Sequence, residues 1–404
     1  IEFLIKRKFK YENILSSEYK YRPYLVTMQD INKILFLIKA IEGKALNENS
    51  FENKRTSDMI EDLYYEINYF KELPLKRKNR SVISVKYLQD KVNKMNIFNN
   101  NTENYNIIKI GKGNRKNIKV AIAIAKNEED NFISILMDEP NRDLKRYKQL
   151  SEIIRQTVQS EADILILPEN YIPFEWLGLL EREAKKNNLA IITGVEHVKI
   201  DSNVYNLTVS FFPYEYSKYK FVYTNYRSKV YYSPEEKRQI EGYGCICVEG
   251  NEFNLFVWNN IWIPVYCCFE IASILDRSTF FSLADLIVTV EWNKDINYFS
   301  NIIESLSRDM HAFCVQVNTS NYGDSCLIQP AKTHSMSLLR TKGGINSGVL
   351  VEEIDIDKLR RFQVKEYELQ KDDKSRFKTT PPNFNKDIVR KKITNSLFEE
   401  ILRK

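Results

Sequence analysis

From residue 118 onward, short unbroken apolar runs alternate with segments whose apolar residues recur every three to four positions. The first kind predicts buried strands and the second amphipathic helices. Strands are expected at 120–125, at 162–167 (interrupted only by Asp163 and stopping at Pro168-Glu169) and at 190–194. Paired strands follow at 204–213 and 219–224, then single ones at 284–290 and 313–317. Residues 253–258 and 261–266 read as a hairpin, because the Asn259-Asn260 pair between them suits turn positions with positive φ. Residues 143–158 form a helix with Leu144, Tyr147, Leu150, Ile153 and Ile154 on one face, and 176–186, 271–282 and 303–311 are helical as well. Nothing repeats at a fixed period. Strands interleaved with helices predict an α/β domain of sheets covered by helices.

Residues 1–116 have a different rhythm and read mainly as helix, at 31–41 and again at 57–70, where Ile60, Leu63, Tyr64 and Ile67 share a side. The Asn-rich stretch 96–106 and the polar Gly111-Lys112-Gly113 stretch read as connector, which puts a boundary near residue 116. After about 366 the chain becomes charged and turns at Thr380-Pro381-Pro382. It then ends in an amphipathic helix over 387–402 with Val389, Ile393, Leu397 and Ile401 in a stripe. The expected organisation is therefore 1–116, 117–366 and 367–404, and the terminal stripe must dock on its own core or on a partner.

Charge sharpens that division. Residues 1–116 hold 23 basic and 14 acidic side chains, a balance of +9, so the remaining 288 carry −3 of the total +6. The cluster Lys76, Arg77, Lys78 and Arg80, with Tyr and Phe interleaved among the charges of the segment, is a candidate nucleic-acid contact. A solvated Lys-rich helical cap explains the same composition. The six cysteines and three histidines show no metal-ligand spacing and no disulfide framework, so no metal or other cofactor is expected and a reducing, cytoplasmic setting is the simplest reading. No apolar run is long enough for a membrane span. The chain opens on Ile rather than Met, as a piece of a longer protein would.

Candidate chemistry collects where strands stop. The run Ile261-Trp-Ile-Pro-Val-Tyr-Cys-Cys-Phe-Glu270 ends in two cysteines with a carboxylate two positions beyond the second. A sulfur at the last strand residue, with a helix start beside it, is in a setting that favours thiolate. Leu167-Pro168-Glu169 ends another strand, and Lys229 with Glu236 seven residues later follows the strand pair. All three stations lie past strand ends, where α/β sheets place ligands.

With these residues in this order, the region from about 117 to 365 resembles the nitrilase, or carbon–nitrogen hydrolase, superfamily. Thr193-Gly194-Val195, Tyr205-Asn206, and Asn318 with Gly323 add to the resemblance. It implies an αββα sandwich in which Glu169 is the general base, Lys229 the charge stabiliser and Cys268 the nucleophile. Glu236 is then the supporting carboxylate, with neighbouring Glu235 as its possible substitute. It also implies a thioester on Cys268 during hydrolysis of an amide or nitrile, a homo-oligomer, and oxyanion donors from Lys229 and the Phe269 N–H. Asn170, Tyr171, Tyr231, Trp292 and Asn293 are the expected pocket lining. Cys267 is the rival nucleophile, and strand alternation is expected to turn it to the opposite side of the sheet.

Departures stand beside the match. Ile271-Ala272-Ser273 replaces the Phe-Pro-Glu of many members, Ser228 precedes the lysine, and Tyr231-Tyr232 stands for the common His-Leu. These leave room for an inactive module with an assembly or sensing role. The basic helical segment joined to such a domain, and the stretch from Tyr322 to Pro330 followed by Lys332, further resemble the C-terminal part of bacterial defence-associated reverse transcriptases fused to a nitrilase.

Overall fold

A computed structural model describes residues 105–216, 219–344 and 347–403, all within one compact unit. Its strands are, in chain order, β1 (Tyr105–Ile110), β2 (Asn117–Ile124), β3 (Ile164–Ile166), β4 (Ala190–Ile200), β5 (Asn203–Tyr216), β6 (Tyr219–Ser228), β7 (Ile246–Cys247), β8 (Phe253–Trp258), β9 (Ile261–Cys267), β10 (Leu286–Val290), β11 (Phe313–Val317), β12 (Cys326–Ile328), β13 (Ser337–Arg340) and β14 (Gly348–Asp355). One sheet has the order β1-β8-β9-β10-β11-β12-β13. The other runs β14-β2-β3-β4-β5-β6, with β7 paired to β5.

The two sheets pack face to face. Ile118, Val120, Ile122, Ile164, Ile166 and Ile192 of one meet Ile263, Val265, Val288, Val290, Val315 and Val317 of the other. Strands covered on both faces read as unbroken apolar runs rather than alternating ones, and Leu286–Val290 is buried throughout. Each such side chain contributes roughly 1.5–3 kcal/mol on burial. Outside the first sheet lies α5 (Ile296–Met310), which sets Ile302, Ile303 and Leu306 in one core with Ile287 and Cys314. Earlier in the chain come α1 (Glu129–Leu136), α2 (Leu144–Gln159), α3 (Leu177–Asn187) and α4 (Pro234–Gly242). Of these α2 packs on β14, and α3 on β5 and β6. The architecture is an α/β sandwich of two sheets flanked by helices, as expected.

Most elements fall where the apolar pattern puts them. The β8–β9 turn holds Asn259 and Asn260 at φ 47° and 68°, as the hairpin requires. Three segments differ. Tyr105–Ile110, placed above within the mainly helical 1–116 segment, is an edge strand parallel to β8, so the sandwich begins before residue 116. Residues 271–282 are not one helix. A 3-10 turn over Cys268–Ala272 is followed by a short turn of helix at Ile274–Ser278, and Ser282 at φ 64° lies outside helical geometry.

At the C-terminus, α6 (Ile356–Gln363) is followed by α7 (Lys386–Ile393) and α8 (Leu397–Arg403), the last two separated by Asn395 at φ 54°. Here the expected single stripe is corrected. Leu397, Phe398 and Ile401, with Ile388, are buried in the outer core of the first sheet, so this chain covers its own stripe. Buried Asp285 holds the arrangement, accepting from Arg360 (2.6 Å), Lys392 (2.8 Å) and the Trp262 N–H (2.9 Å). Residues Lys76, Arg77, Lys78 and Arg80 lie outside the described residues.

Candidate active site

The second sheet supplies a buried, charged cluster. Glu169 follows β3, where Gly194 lets the chains close up: a Cβ on Gly194 would lie 2.3 Å from the Glu169 Cα. The Lys229 Nζ donates to Glu169 Oε1 (2.7 Å) and to Glu236 Oε2 (2.6 Å). Asn206 Nδ2 donates to the same two carboxylates, at 2.8 and 2.7 Å. Glu236 is the third residue of α4, whose start is set by Ser233 capping the Glu236 N–H and by Pro234. That register buries Glu236 and leaves Glu235 exposed beside Arg238. His197 bridges Glu236 Oε1 (2.8 Å) and Asn170 Oδ1 (3.0 Å).

The charges hold one another. Burial alone would lower the Lys229 pKa, but Glu169 and Glu236 outweigh it and push it well above the ordinary lysine range. Burial likewise opposes ionisation of Glu236, and Lys229 with His197 wins, so its carboxyl is held well below the usual range.

The first sheet supplies the sulfurs. Cys268 opens the 3-10 turn after β9 at φ 46°, a left-handed backbone uncommon outside Gly and Asn. The bend is anchored by Glu270, which accepts from both Arg227 terminal nitrogens (2.7 Å each), from the Val230 N–H (2.7 Å) and from the Cys267 N–H (2.6 Å). A single buried carboxylate thus ties the cysteine bend to the lysine strand. The Cys268 sulfur accepts from the Trp292 backbone N–H.

Two expectations are corrected here. Neither thiol is thiolate-favouring at rest: burial, then the Glu169 charge, pushes both Cys267 and Cys268 well above the ordinary thiol range, against the pull of Lys229. Nor does alternation remove Cys267 from the cluster. Its side chain faces the space between the sheets, and Glu169 reaches that space from the facing sheet, leaving Cys267 Sγ 3.3 Å from Glu169 Oε1.

Of the expected lining, Asn170 and Tyr171 are buried, and Trp292 and Asn293 are half-buried. Asn170 Nδ2, Tyr171 Oη, Trp292 Nε1 and Asn293 Nδ2 are all shielded polar atoms without a hydrogen-bond partner. Phe269 sits in the first turn after the bend. Tyr231 is instead 38 % exposed, near Phe253 and Asp276. Asn206 and Glu270 entered the sequence reading only as parts of motifs, without a site role, and His197, Arg227 and Glu291 are absent from the expected set. His197 and Glu291 are polar side chains within or just past an apolar strand, which is the signal that would have found them. Among the described residues no group of His, Cys, Asp and Glu is disposed to hold a metal ion.

No family model matches the sequence, and no curated protein matches it. Among solved structures, the chain is similar to a CN-hydrolase superfamily protein from Xanthomonas campestris with an arsenic adduct in its active site. The two are 13 % identical with a TM-score of 0.47, over 65 % of this chain and 98 % of that one. A variant amidase from Nesterenkonia sp. carrying a covalent acetamide adduct at its active-site cysteine is 14 % identical, with a TM-score of 0.44, over 63 % and 96 % of the two chains. A cysteine variant of the same amidase, described as from the nitrilase superfamily, is 12 % identical with a TM-score of 0.45, over 63 % and 96 % of the two chains.

Proposed function

We propose that this domain is a thiol hydrolase that cleaves a non-peptide C–N bond, in an amide or nitrile, through a thioester on Cys268. The observation that carries the reading is a buried carboxylate–lysine–carboxylate cluster, Glu169, Lys229 and Glu236, held against a strained Cys267-Cys268 bend.

Cys268 is preferred to Cys267 as nucleophile for two reasons. It lies at the bend, where a substrate reaches it, and it retains 7 % exposure against 0 % for Cys267. Because both thiols rest protonated, the base must act during attack. Glu169 takes the Cys268 proton as sulfur bonds to the carbonyl carbon. An ammonium has three donors and Lys229 commits two, to Glu169 and Glu236, leaving one N–H for the oxyanion beside that of Phe269. The C–N bond then breaks, Glu169 returns its proton to the leaving amine, and a thioester remains. Water, deprotonated by Glu169, attacks that thioester. The acid departs and the thiol is restored, so amide plus water gives acid plus amine.

The test is ammonia or amine release from a panel of small amides and nitriles. Cys268→Ala should abolish turnover with the melting temperature within a few degrees, whereas Cys267→Ala should retain it. Full turnover in Cys268→Ala refutes the mechanism. A second reading, a silent nitrilase-like module used for assembly or sensing, is favoured by the departures at 271–273 and by the burial of both thiols. Resistance of Cys268 to iodoacetamide at neutral pH supports that alternative. The wider setting we propose is a cytoplasmic, homo-oligomeric antiviral defence protein with a reverse transcriptase preceding Ile1 and nucleic acid contacted through residues 1–116. It rests on the resemblance and on the +9 balance alone.

A further inference from the structure

Glu291 is the first residue after β10 and is fully buried, and neither of its carboxyl oxygens has a hydrogen-bond partner. Its position is set by the sheet. Leu286, Val288 and Val290 of β10 pack in the core between the sheets, and Glu291 lies just past them. Val290 pairs with Cys267, so the next residues along the two strands, Glu291 and Cys268, leave the sheet side by side. The Glu291 carbonyl accepts from the Glu169 N–H (3.3 Å) and its own N–H donates to the Val317 carbonyl (2.8 Å), which fixes the backbone. The Glu291 carboxyl lies within electrostatic reach of the Cys268 sulfur. A carboxyl buried beside the reacting thiol with neither oxygen satisfied is costly to the fold, and a ligand that brings its own donors removes that cost.

The buried carboxyls around the site outnumber the buried cations. Glu169, Glu236, Glu270 and Glu291 are four buried carboxyls, against Lys229 and Arg227 as buried cations. The nearby quartet of Arg142, Arg146, Glu175 and Glu196 is balanced and does not change this.

We propose that Glu291 recognises a cationic nitrogen, a primary ammonium or guanidinium, on the substrate whose C–N bond Cys268 attacks. The inference rests on the reading of Cys268 as the reacting thiol. Such a group supplies the N–H donors that both Glu291 oxygens lack and offsets the excess of carboxyls. Burial and then the Glu169 and Asp324 charges push the Glu291 carboxyl well above its ordinary range, and a bound cation pulls it back down.

The experiment compares three alkylating probes with one electrophile: 2-bromoacetamide, N-(2-aminoethyl)-2-bromoacetamide and N-bromoacetyl-β-alanine. Rates at Cys268 are read by peptide mass spectrometry at pH 7. The cationic probe should react about tenfold or more faster than the neutral one, and the anionic probe slower than both. Glu291→Gln should bring the cation-to-neutral ratio close to one, while Glu235→Gln, an exposed control, should keep it. The ratio is internal, so a general loss of reactivity does not mimic the result. Modification of Cys268 without a cationic preference, or a preference that survives in Glu291→Gln, overturns the proposal alone. No modification of Cys268 by any probe overturns the reading of Cys268 and this proposal with it.

Discussion

Replacing Glu270 with Gln tests whether the cysteine bend and the lysine strand are held by one side chain. Each Glu270 oxygen accepts two hydrogen bonds, Oε1 from Arg227 and the Val230 N–H, Oε2 from Arg227 and the Cys267 N–H. Whichever oxygen becomes an amide nitrogen then faces two donors, and two charge-assisted bonds of about 1.5–3 kcal/mol each are lost. The Arg227 guanidinium also stays buried without its counter-charge. Breaking one side of a buried pair in this way costs about 3–5 kcal/mol. Urea unfolding should therefore show a midpoint lower by about 1 M or more. Iodoacetamide labelling of Cys268, measured well below that midpoint, should change as the bend shifts. A loss below about 1 kcal/mol with unchanged labelling would refute the reasoning.

Two further outcomes follow from the geometry. Gly194→Ala puts a methyl 2.3 Å from the Glu169 Cα, so it should slow Cys268 chemistry at least about tenfold and cost about 1–3 kcal/mol; unchanged kinetics would count against the close approach. His311 donates from Nε2 to the Lys378 carbonyl (2.7 Å) and accepts at Nδ1 from Gln363 (3.3 Å), and burial lowers its pKa from 6.5 to about 4. Between those values the unfolded chain binds more protons, so stability should fall by up to about 3 kcal/mol as pH drops from about 6.5 to about 4. His311→Asn should flatten that part of the stability profile, and an unaltered slope in urea titrations would sink the assignment.

Glu169 and Cys268 are legible in the sequence because each closes an apolar run, whereas Lys229 follows Asn225-Tyr226-Arg227-Ser228 and is singled out only by the family resemblance. The contact of Cys267 with Glu169 is not legible, since alternation describes one sheet and this contact depends on how two sheets dock. His197 follows Glu196 and Asn206 follows Tyr205, with no role marked by either neighbour, and only the fold brings them to their partners Glu236 and Glu169. The β1 strand is hidden by its Asn-rich approach, and its place is set by pairing with β8, more than 140 positions away. The break between α7 and α8 is masked by a stripe that continues across it.

The order of strands has a consequence for how the site comes into being. The first sheet takes β1 from the front of the described chain and β8–β13 from its later part, while the second takes β2–β7 and then recovers β14 from the end. Each sheet is thus closed by a strand borrowed across the boundary of the other, in the manner of a clasp. Glu169, Lys229 and Glu236 emerge from a ribosome before Cys267 and Cys268, so a nascent chain carries the acid–lysine cluster ahead of the cysteine bend that packs against it. Two fragments divided between β7 and β8 would each lack one edge strand of a sheet, leaving Cys267 and Cys268 open to alkylation in the second fragment, and their protection on mixing would report the clasp fastening.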